Sequence, residues 1–190
     1  MGLATLPVER DRLAMFVLRR CIRVSAALVG ILFFACDGTP PTAALGTCES
    51  NPRQAVLQLV NDIRIDHGVE PLQLDLRLAV SAQTHSEDMT ANNFMSHTGS
   101  DGSNPGERMT AAGYPWNGWS ENVAAGQPTP ESVVNAWMNS SGHRANILRT
   151  SSEHVGIGYD HESGTTYGHY WTMNFGSSES EPATGLGCHP

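Results

Sequence analysis

The sequence contains no lysine. All eleven of its basic residues are arginine, and five of these precede residue 24. Beyond that point positive charge is scarce. The sequence from Asp37 onward has six arginines and seventeen acidic residues, which gives a net charge of −11. A surface of this sign repels phosphate backbones, so we expect no nucleic-acid partner. The simplest explanation of the acidic composition is that it keeps the protein soluble.

Long apolar segments are equally scarce. The longest apolar run, residues 24–35, has twelve residues, whereas a helix that spans a bilayer needs about 20. The run follows a cluster of arginines, which is the arrangement of a signal peptide. We therefore assign residues 1–36 to an export leader. A start at Met15 would give this leader ordinary proportions, with residues 1–14 upstream of the true start.

The leader ends in Phe33-Phe34-Ala35-Cys36. This segment resembles a bacterial lipobox, in which the cysteine is lipidated and becomes the mature N-terminus, although Phe33 stands where leucine is usual. Two interpretations follow. The mature chain is held at the membrane by a lipid on Cys36, or it is secreted. Both place the protein outside the cell or in its envelope, with membrane contact only through the lipid.

Cysteine is rare, with four residues in the chain. Two belong to the leader, which leaves Cys48 and Cys188 at either end of the remaining sequence. An oxidising compartment favours one disulfide between them, and two unpaired thiols are the alternative. Residues 37–50 are rich in Gly, Pro, Thr and Ala and are typical of a tether. The polar residues 177–190 are typical of a loose tail.

Between tether and tail, helical patterns alternate with short strand-like segments. Apolar spacing and capping residues predict helices at residues 52–67, 75–92, 106–112 and 129–138. Short segments with β-branched or aromatic residues predict strands at residues 121–125, 154–159 and 168–175. The residues expected to face inward on the second and fourth helices are Leu78, Ala82, His85, Met89, Val133, Val134 and Trp137. Helices flanking a small sheet predict an α/β sandwich.

Four segments together resemble, in order, the signature blocks of the CAP domain. They are FMSH at 94–97, SENV at 120–123, GHRANIL at 142–148 and YWTMNFG at 170–176. This fold is shared by cysteine-rich secretory proteins, venom allergens and pathogenesis-related plant proteins, and the bacterial branch is the most similar. The resemblance implies an α-β-α sandwich, with a small central sheet between helices, over a domain at 51–176.

The resemblance also implies a site. In the family, two His and two Glu line a central cleft that can hold a divalent cation such as zinc. By position His97, Glu121 and His143 match three of them, and Ser140 stands where the second Glu would be. Two imidazoles and one carboxylate with an open position form a reasonable zinc set. We expect the missing carboxylate to weaken the site, and binding to fade below about pH 6.

The same residues also have purely structural interpretations. His97 can hydrogen-bond to Glu121, and His143 can cap a short helix at Arg144. His85, on the inward face of the second helix, is expected either near His97 or simply as a core residue.

Other polar residues nearby are expected to support the fold. Asn122, which is expected to support the cleft together with Ser140 and His85, and Asn146 are predicted to hydrogen-bond to backbone in loops. Arg108 and Arg144 can pair with Glu121 or with neighbouring acids and receive no function. The remaining histidines show no metal-ligand spacing with one another and are interpreted as surface or packing residues: His154, His161, His169 and His189.

Three classes of function remain. The resemblance implies a binding module for a small or lipophilic ligand, such as a sterol or fatty acid, or for a surface partner, with metal dependence as an option. A hydrolase would use metal-bound water at His97 and His143, with Glu121 as general base. A structural role in the envelope is the third.

A serine hydrolase is not favoured. No nucleophile elbow surrounds Ser96 or Ser120. If Ser96 and His97 lay on one strand, they would also point to opposite faces. We predict the binding module, with a hydrolase and a structural envelope protein as alternatives.

Overall fold

The computed structural model of the protein describes residues 51–184. The leader with Met15 and Cys36, the tether, both cysteines of the predicted disulfide and the end of the tail lie outside the described residues. All described residues belong to one compact unit. None of the helices within residues 51–184 is long and apolar enough to cross a membrane.

Helices and strands alternate along the described chain. The helices are α1 (Pro52–Asp66), α2 (Leu76–Ala91), α3 (Pro105–Ala111), α4 (Pro130–Asn139) and α5 (Ser141–Ile147). The strands are β1 (Gln73–Leu74), β2 (Gly118–Ala125), β3 (His154–His161) and β4 (His169–Ser177). The four predicted helices and three predicted strands are confirmed. β1 was not predicted, and α5 was anticipated only as a short helix near Arg144.

Local capping explains where the helices begin. The side chain of Asn51 accepts a hydrogen bond of 3.0 Å from the backbone N–H of Arg53, which fixes the start of α1. Thr129 and Ser132 form a reciprocal capping box at the start of α4. Asn104 opens α3 in the same way. A proline follows each cap at the first helical position, where its missing N–H costs nothing.

The strands form a single sheet in the order β1-β3-β4-β2. β1 runs parallel to β3, whereas β3–β4 and β4–β2 are antiparallel. β2 is thus an edge strand, paired along its whole length with β4. α2 packs on one face of the sheet, and α1 and α4 pack on the other. The predicted α-β-α sandwich is confirmed.

The sheet face toward α1 and α4 is apolar. Its strands contribute Val155, Trp171, Met173 and Phe175, which pack with Trp137 in the main core of the protein. The residues predicted to face inward on α4 are all buried. Burial of this apolar surface, at about 25 cal/mol per Å², is the main force that holds these layers together.

The face toward α2 is built differently, with glycine and small polar side chains. A Cβ atom added at Gly156 or Gly158 would lie within 2.4 Å of α2 backbone atoms, so the helix rests directly on β3. Ser86 of α2 donates a hydrogen bond of 3.0 Å to the Thr172 hydroxyl of β4. The predicted inward residues of α2 are all buried on this face. Close approach here therefore depends on glycine.

Candidate functional site

Glu121 lies at the centre of the predicted site residues. It stands on the edge strand β2, opposite Asn174 of β4, and only 5% of its surface is exposed. Its Oε1 accepts a hydrogen bond of 2.8 Å from Nδ1 of His97 in the loop between α2 and α3. The structure thus brings His97 and Glu121 into direct contact.

A largely buried arginine holds the other oxygen of Glu121. Arg108 of α3 donates from Nη2 to Oε2 at 2.7 Å and from Nη1 to the carbonyl of Ser103 at 2.9 Å. Asn174, in the amide orientation that satisfies both of its polar atoms, donates to the same Oε2 at 3.1 Å. The charge of Glu121 is therefore compensated inside the protein, as a buried carboxylate requires.

The side chain of His97 lies largely at the surface. It is 53% exposed, against 1% for that of Glu121. A carboxylate only accepts hydrogen bonds, so the neutral ring carries its proton on Nδ1 and keeps a lone pair on Nε2. Metal-ligating histidines are commonly oriented in this way. Because Ser96 and His97 occupy a loop and not a strand, the argument that strand alternation separates them is wrong.

His143 comes from the opposite face of the sheet, on α5, whose Ile147 belongs to the main core. Burial, and then the charge of His97, lowers the pKa of His143, so its neutral form with a free lone pair prevails at neutral pH. The prediction that His143 caps a helix is wrong, because it lies inside α5. Ser140 is the N-cap residue there, and its side chain makes no capping hydrogen bond.

His85 lies beneath the site. It is fully buried on α2, and its Nε2 donates to the carbonyl of Ser96, the residue before His97, at 2.8 Å. Burial is the main cause that lowers the pKa of His85. Both expectations for this residue thus hold together, since it is a core residue that also anchors the loop carrying His97.

Two asparagines tie β2 to α5. Asn146 donates to the side-chain oxygen of Asn122 at 2.9 Å and to the carbonyl of Glu121 at 3.3 Å. Asn122 donates to the carbonyl of His143 at 3.1 Å. Both bond to backbone as predicted, although from a strand and a helix and not from loops. These bonds fix the strand that bears Glu121 relative to the helix that bears His143.

The metal set implied by the resemblance is matched only in part. Within residues 51–184 no group of three or more His, Cys, Asp or Glu is arranged to hold a metal ion. Both oxygens of Glu121 are engaged, by His97 and Arg108, so the carboxylate orients a ligand more readily than it becomes one. The imidazoles of His97 and His143 are near enough to interact electrostatically. A zinc ion held between them would act as a Lewis acid with open positions.

A hollow of about 530 Å³ lies against α3. Two tryptophans line it, Trp116 and Trp119, with ring centroids 6.3 Å apart and planes at 80°. Glu107 and Ala111 line both this hollow and a second one of about 420 Å³ that Arg108 also lines. An apolar recess is therefore joined, through one short helix, to the arginine that holds the buried carboxylate.

Comparison with known proteins defines the class. The model of the cysteine-rich secretory protein family, CAP, matches residues 57–175. The uncharacterized protein YkwD of Bacillus subtilis (strain 168) is 39% identical over 139 residues, which cover 73% of this chain and 52% of that protein. The chain thus spans about half the length of this curated relative. It belongs to the cysteine-rich secretory protein family.

Solved structures agree with this assignment. An extracellular protein containing an SCP domain from Bacillus anthracis is similar with a TM-score of 0.60 and 29% identity, over 67% of this chain and 40% of that one. An outer surface protein of Borrelia burgdorferi is similar in fold, with a TM-score of 0.60 and 22% identity over 67% of this chain and 93% of that one.

Sequence reasoning missed two parts of the site. Arg108 received no function, although its pairing with Glu121 was recognised as an option, because two residues thirteen positions apart meet only through the tertiary fold. The Trp116–Trp119 hollow was also missed. The available signal was a pair of tryptophans three positions apart, beside a short helix.

Proposed function

We propose that this protein is an exported CAP-domain binding module that holds a small lipophilic ligand in the Trp116–Trp119 hollow, next to the cleft of His97 and Glu121. The observation that supports this proposal most directly is the position of α3 between the hollow and the cleft. One helix lines the hollow and also supplies the arginine that holds Glu121. Apolar walls with a few fixed polar groups are the usual composition of a small-molecule site.

Metal dependence is part of the proposal. His97 keeps a free Nε2 because Glu121 binds its other nitrogen, and His143 favours its neutral form. These two imidazoles would hold a divalent cation at neutral pH, and Glu121 would orient one of them. A polar end of the ligand would then bind the open positions of the cation.

Hydrolysis has less support from the geometry. Among residues 51–184 no hydrogen bond joins a serine hydroxyl to His97 or His143, and the buried hydroxyl of Ser120 has no partner there. Glu121, the candidate base, is bound by a guanidinium and an imidazole. A general base needs a free oxygen within reach of the proton that it abstracts.

The proposed location is the cell envelope or the extracellular space. The leader-like residues 1–36 and the names of the two structural relatives, extracellular and outer surface protein, support this placement. A lipid on Cys36 would hold the protein at the membrane. We expect Cys36→Ser to move the protein from the membrane fraction to the medium. An unchanged distribution would argue for secretion without an anchor.

Ligand binding is tested with a long-chain fatty acid as the probe, followed by tryptophan fluorescence of the full chain. Trp116→Ala should weaken binding at least about tenfold, because the loss of an aromatic wall removes about 1.5 kcal/mol of contact energy. The matched control is Tyr167→Ala, which removes an exposed aromatic ring from the β3–β4 hairpin. Equal affinity of the parent and Trp116→Ala proteins would remove the hollow from the proposal.

Metal binding is tested by calorimetric titration of the full chain with zinc at neutral pH. The double variant His97→Ala/His143→Ala should bind one zinc ion fewer per chain than the parent protein, whereas His67→Ala, at an exposed histidine after α1, should bind the same number. Circular dichroism confirms equal folding. An unchanged number of bound zinc ions in the double variant would separate the cleft from any metal, and the hollow alone would remain as the site.

A further inference from the structure

The β3–β4 hairpin carries a second pair of imidazoles, outside the site described above. His161 ends β3 and His169 begins β4, and the two residues are directly opposite each other in the strand register. Their ring centroids lie 4.4 Å apart with 33° between the planes. In the sequence eight positions separate them, which hides this contact until the hairpin register is known.

One of the two rings is held in a fixed orientation. Nδ1 of His169 shares a hydrogen bond of 2.8 Å with the hydroxyl of Tyr159, and the two rings are stacked with 17° between their planes. Tyr159 lies in turn against the buried Trp171, with centroids 4.1 Å apart. When Nδ1–H donates to the hydroxyl oxygen, Nε2 of His169 keeps its lone pair for a ligand.

The acidic residues around the pair favour a bound cation. The carboxylates of Asp160 and Glu162 flank His161 in the sequence. Their negative charge stabilises a bound cation, even at an exposed site.

We propose that His161 and His169 form a surface site for a divalent transition-metal ion. Imidazole nitrogen selects Cu²⁺, Ni²⁺ or Zn²⁺ over Ca²⁺ and Mg²⁺, and Cu²⁺ binds most tightly. Directly opposite side chains of an antiparallel pair lie close enough for one ion to join them. Water fills the remaining positions, and the hydroxyl of Tyr159 orients His169.

This site is distinct from the His97–His143 cleft. Asn174, the strand partner of Glu121, lies five residues beyond His169 on β4. At about 3.4 Å per residue, this places the two regions about 17 Å apart along the strand. The inference therefore does not depend on ligand or metal binding at the cleft.

The experiment is a Cu²⁺ titration of the full chain, followed by calorimetry and electron paramagnetic resonance. It is run in a His97→Asn/His143→Asn background, so that the cleft contributes no imidazole. In this background we expect one Cu²⁺ with two nitrogen ligands. His161→Asn and His169→Asn should each lower the affinity at least about tenfold and leave one nitrogen in the spectrum.

A second variant separates orientation from ligation. Tyr159→Phe keeps the ring but removes the hydroxyl that holds Nδ1 of His169, so it should weaken binding about tenfold while both nitrogens stay in the spectrum. His67→Asn is the matched control and should leave the affinity unchanged. An unchanged affinity and nitrogen count in His161→Asn would overturn the proposal, and so would a two-nitrogen signal that disappears with His67.

Discussion

Nη2 of Arg108 lies 2.7 Å from Oε2 of Glu121, and 10% and 1% of the two side chains are exposed. An ion pair this far from solvent contributes little net stability when it is intact. It is costly to break, because the charge that remains stays buried without a partner. The main role of the pair is therefore to position Glu121, and through it His97. Its contribution to the stability of the fold is small.

Arg108→Gln should lower the free energy of unfolding by about 3 kcal/mol, because it leaves the carboxylate of Glu121 buried without its cation. Urea unfolding measures the loss. The double variant Arg108→Gln/Glu121→Gln should recover most of it, since two neutral amides can hydrogen-bond to each other. A single variant as stable as the parent protein would show that solvent already compensates the carboxylate.

Arg64→Leu should destabilise the protein by about 3 kcal/mol. The guanidinium of Arg64 is fully buried and donates to four carbonyl oxygens, which are those of Glu70, Ile147, Arg149 and Ser152. Removal takes this donor from all four carbonyls in the interior, and of these the carbonyl of Arg149 keeps a hydrogen bond of 3.3 Å from the backbone N–H of Ser152. The control is Arg144→Leu on the exposed side of α5, which should change the stability by less than about 0.5 kcal/mol. Similar losses in the two variants would contradict this account.

The stability of the protein should fall as the pH drops from about 7.5 to 5. The folded-state pKa of His85 is lower than its unfolded value because of burial. Below about pH 6.5 the unfolded chain therefore binds a proton that the folded chain resists. His85→Gln, which can still donate to the carbonyl of Ser96, should make this dependence shallower, and His143, whose pKa is also lowered, should account for part of the slope that remains. Unfolding in urea at several pH values gives both slopes, and equal slopes would rule out His85 as the cause.

Gly158→Ala should cost about 3 kcal/mol of stability, because its Cβ would lie 2.2 Å from the carbonyl oxygen of Ala82 and push α2 away from the sheet. Gly142→Ala on α5 is the matched control. Its Cβ meets nothing within 4 Å, so alanine should be neutral or stabilising by up to about 1 kcal/mol. Thermal unfolding of both variants checks the contrast, which would fail if the two melted together.

The elements that could be predicted are those with local causes. Caps at Asn51 and Thr129 and the apolar spacing of α2 are written within a few neighbouring residues, so the helices were found almost to the residue. β1 could not be predicted, because its two residues form a strand only through pairing with β3. β2 begins three residues before its predicted start, at Gly118, because β4 extends to Ser177 and supplies partners there.

The residues of the site divide in the same way, into those that a local sequence pattern identifies and those that depend on the tertiary fold. The signature blocks named His97, Glu121 and His143, and the structure places the first two in contact. The roles of Arg108 and His169 depend on which residues face them across the fold, and no local pattern carries that information. Lipidation of Cys36, the Cys48–Cys188 disulfide and the three-residue metal set stay predictions.

The two faces of the sheet differ in composition, and this difference determines which amino-acid substitutions each side tolerates. Gly156 and Gly158 give α2 no room to shift, and the hydroxyl pair of Ser86 and Thr172 fixes its position along the strand. Substitutions on that side must preserve both volume and hydrogen bonding at once. The apolar side of the sheet needs only a similar total volume. In a library of all single substitutions, tolerance should therefore divide along the plane of the sheet, with sequence diversity accumulating on the α1 and α4 side.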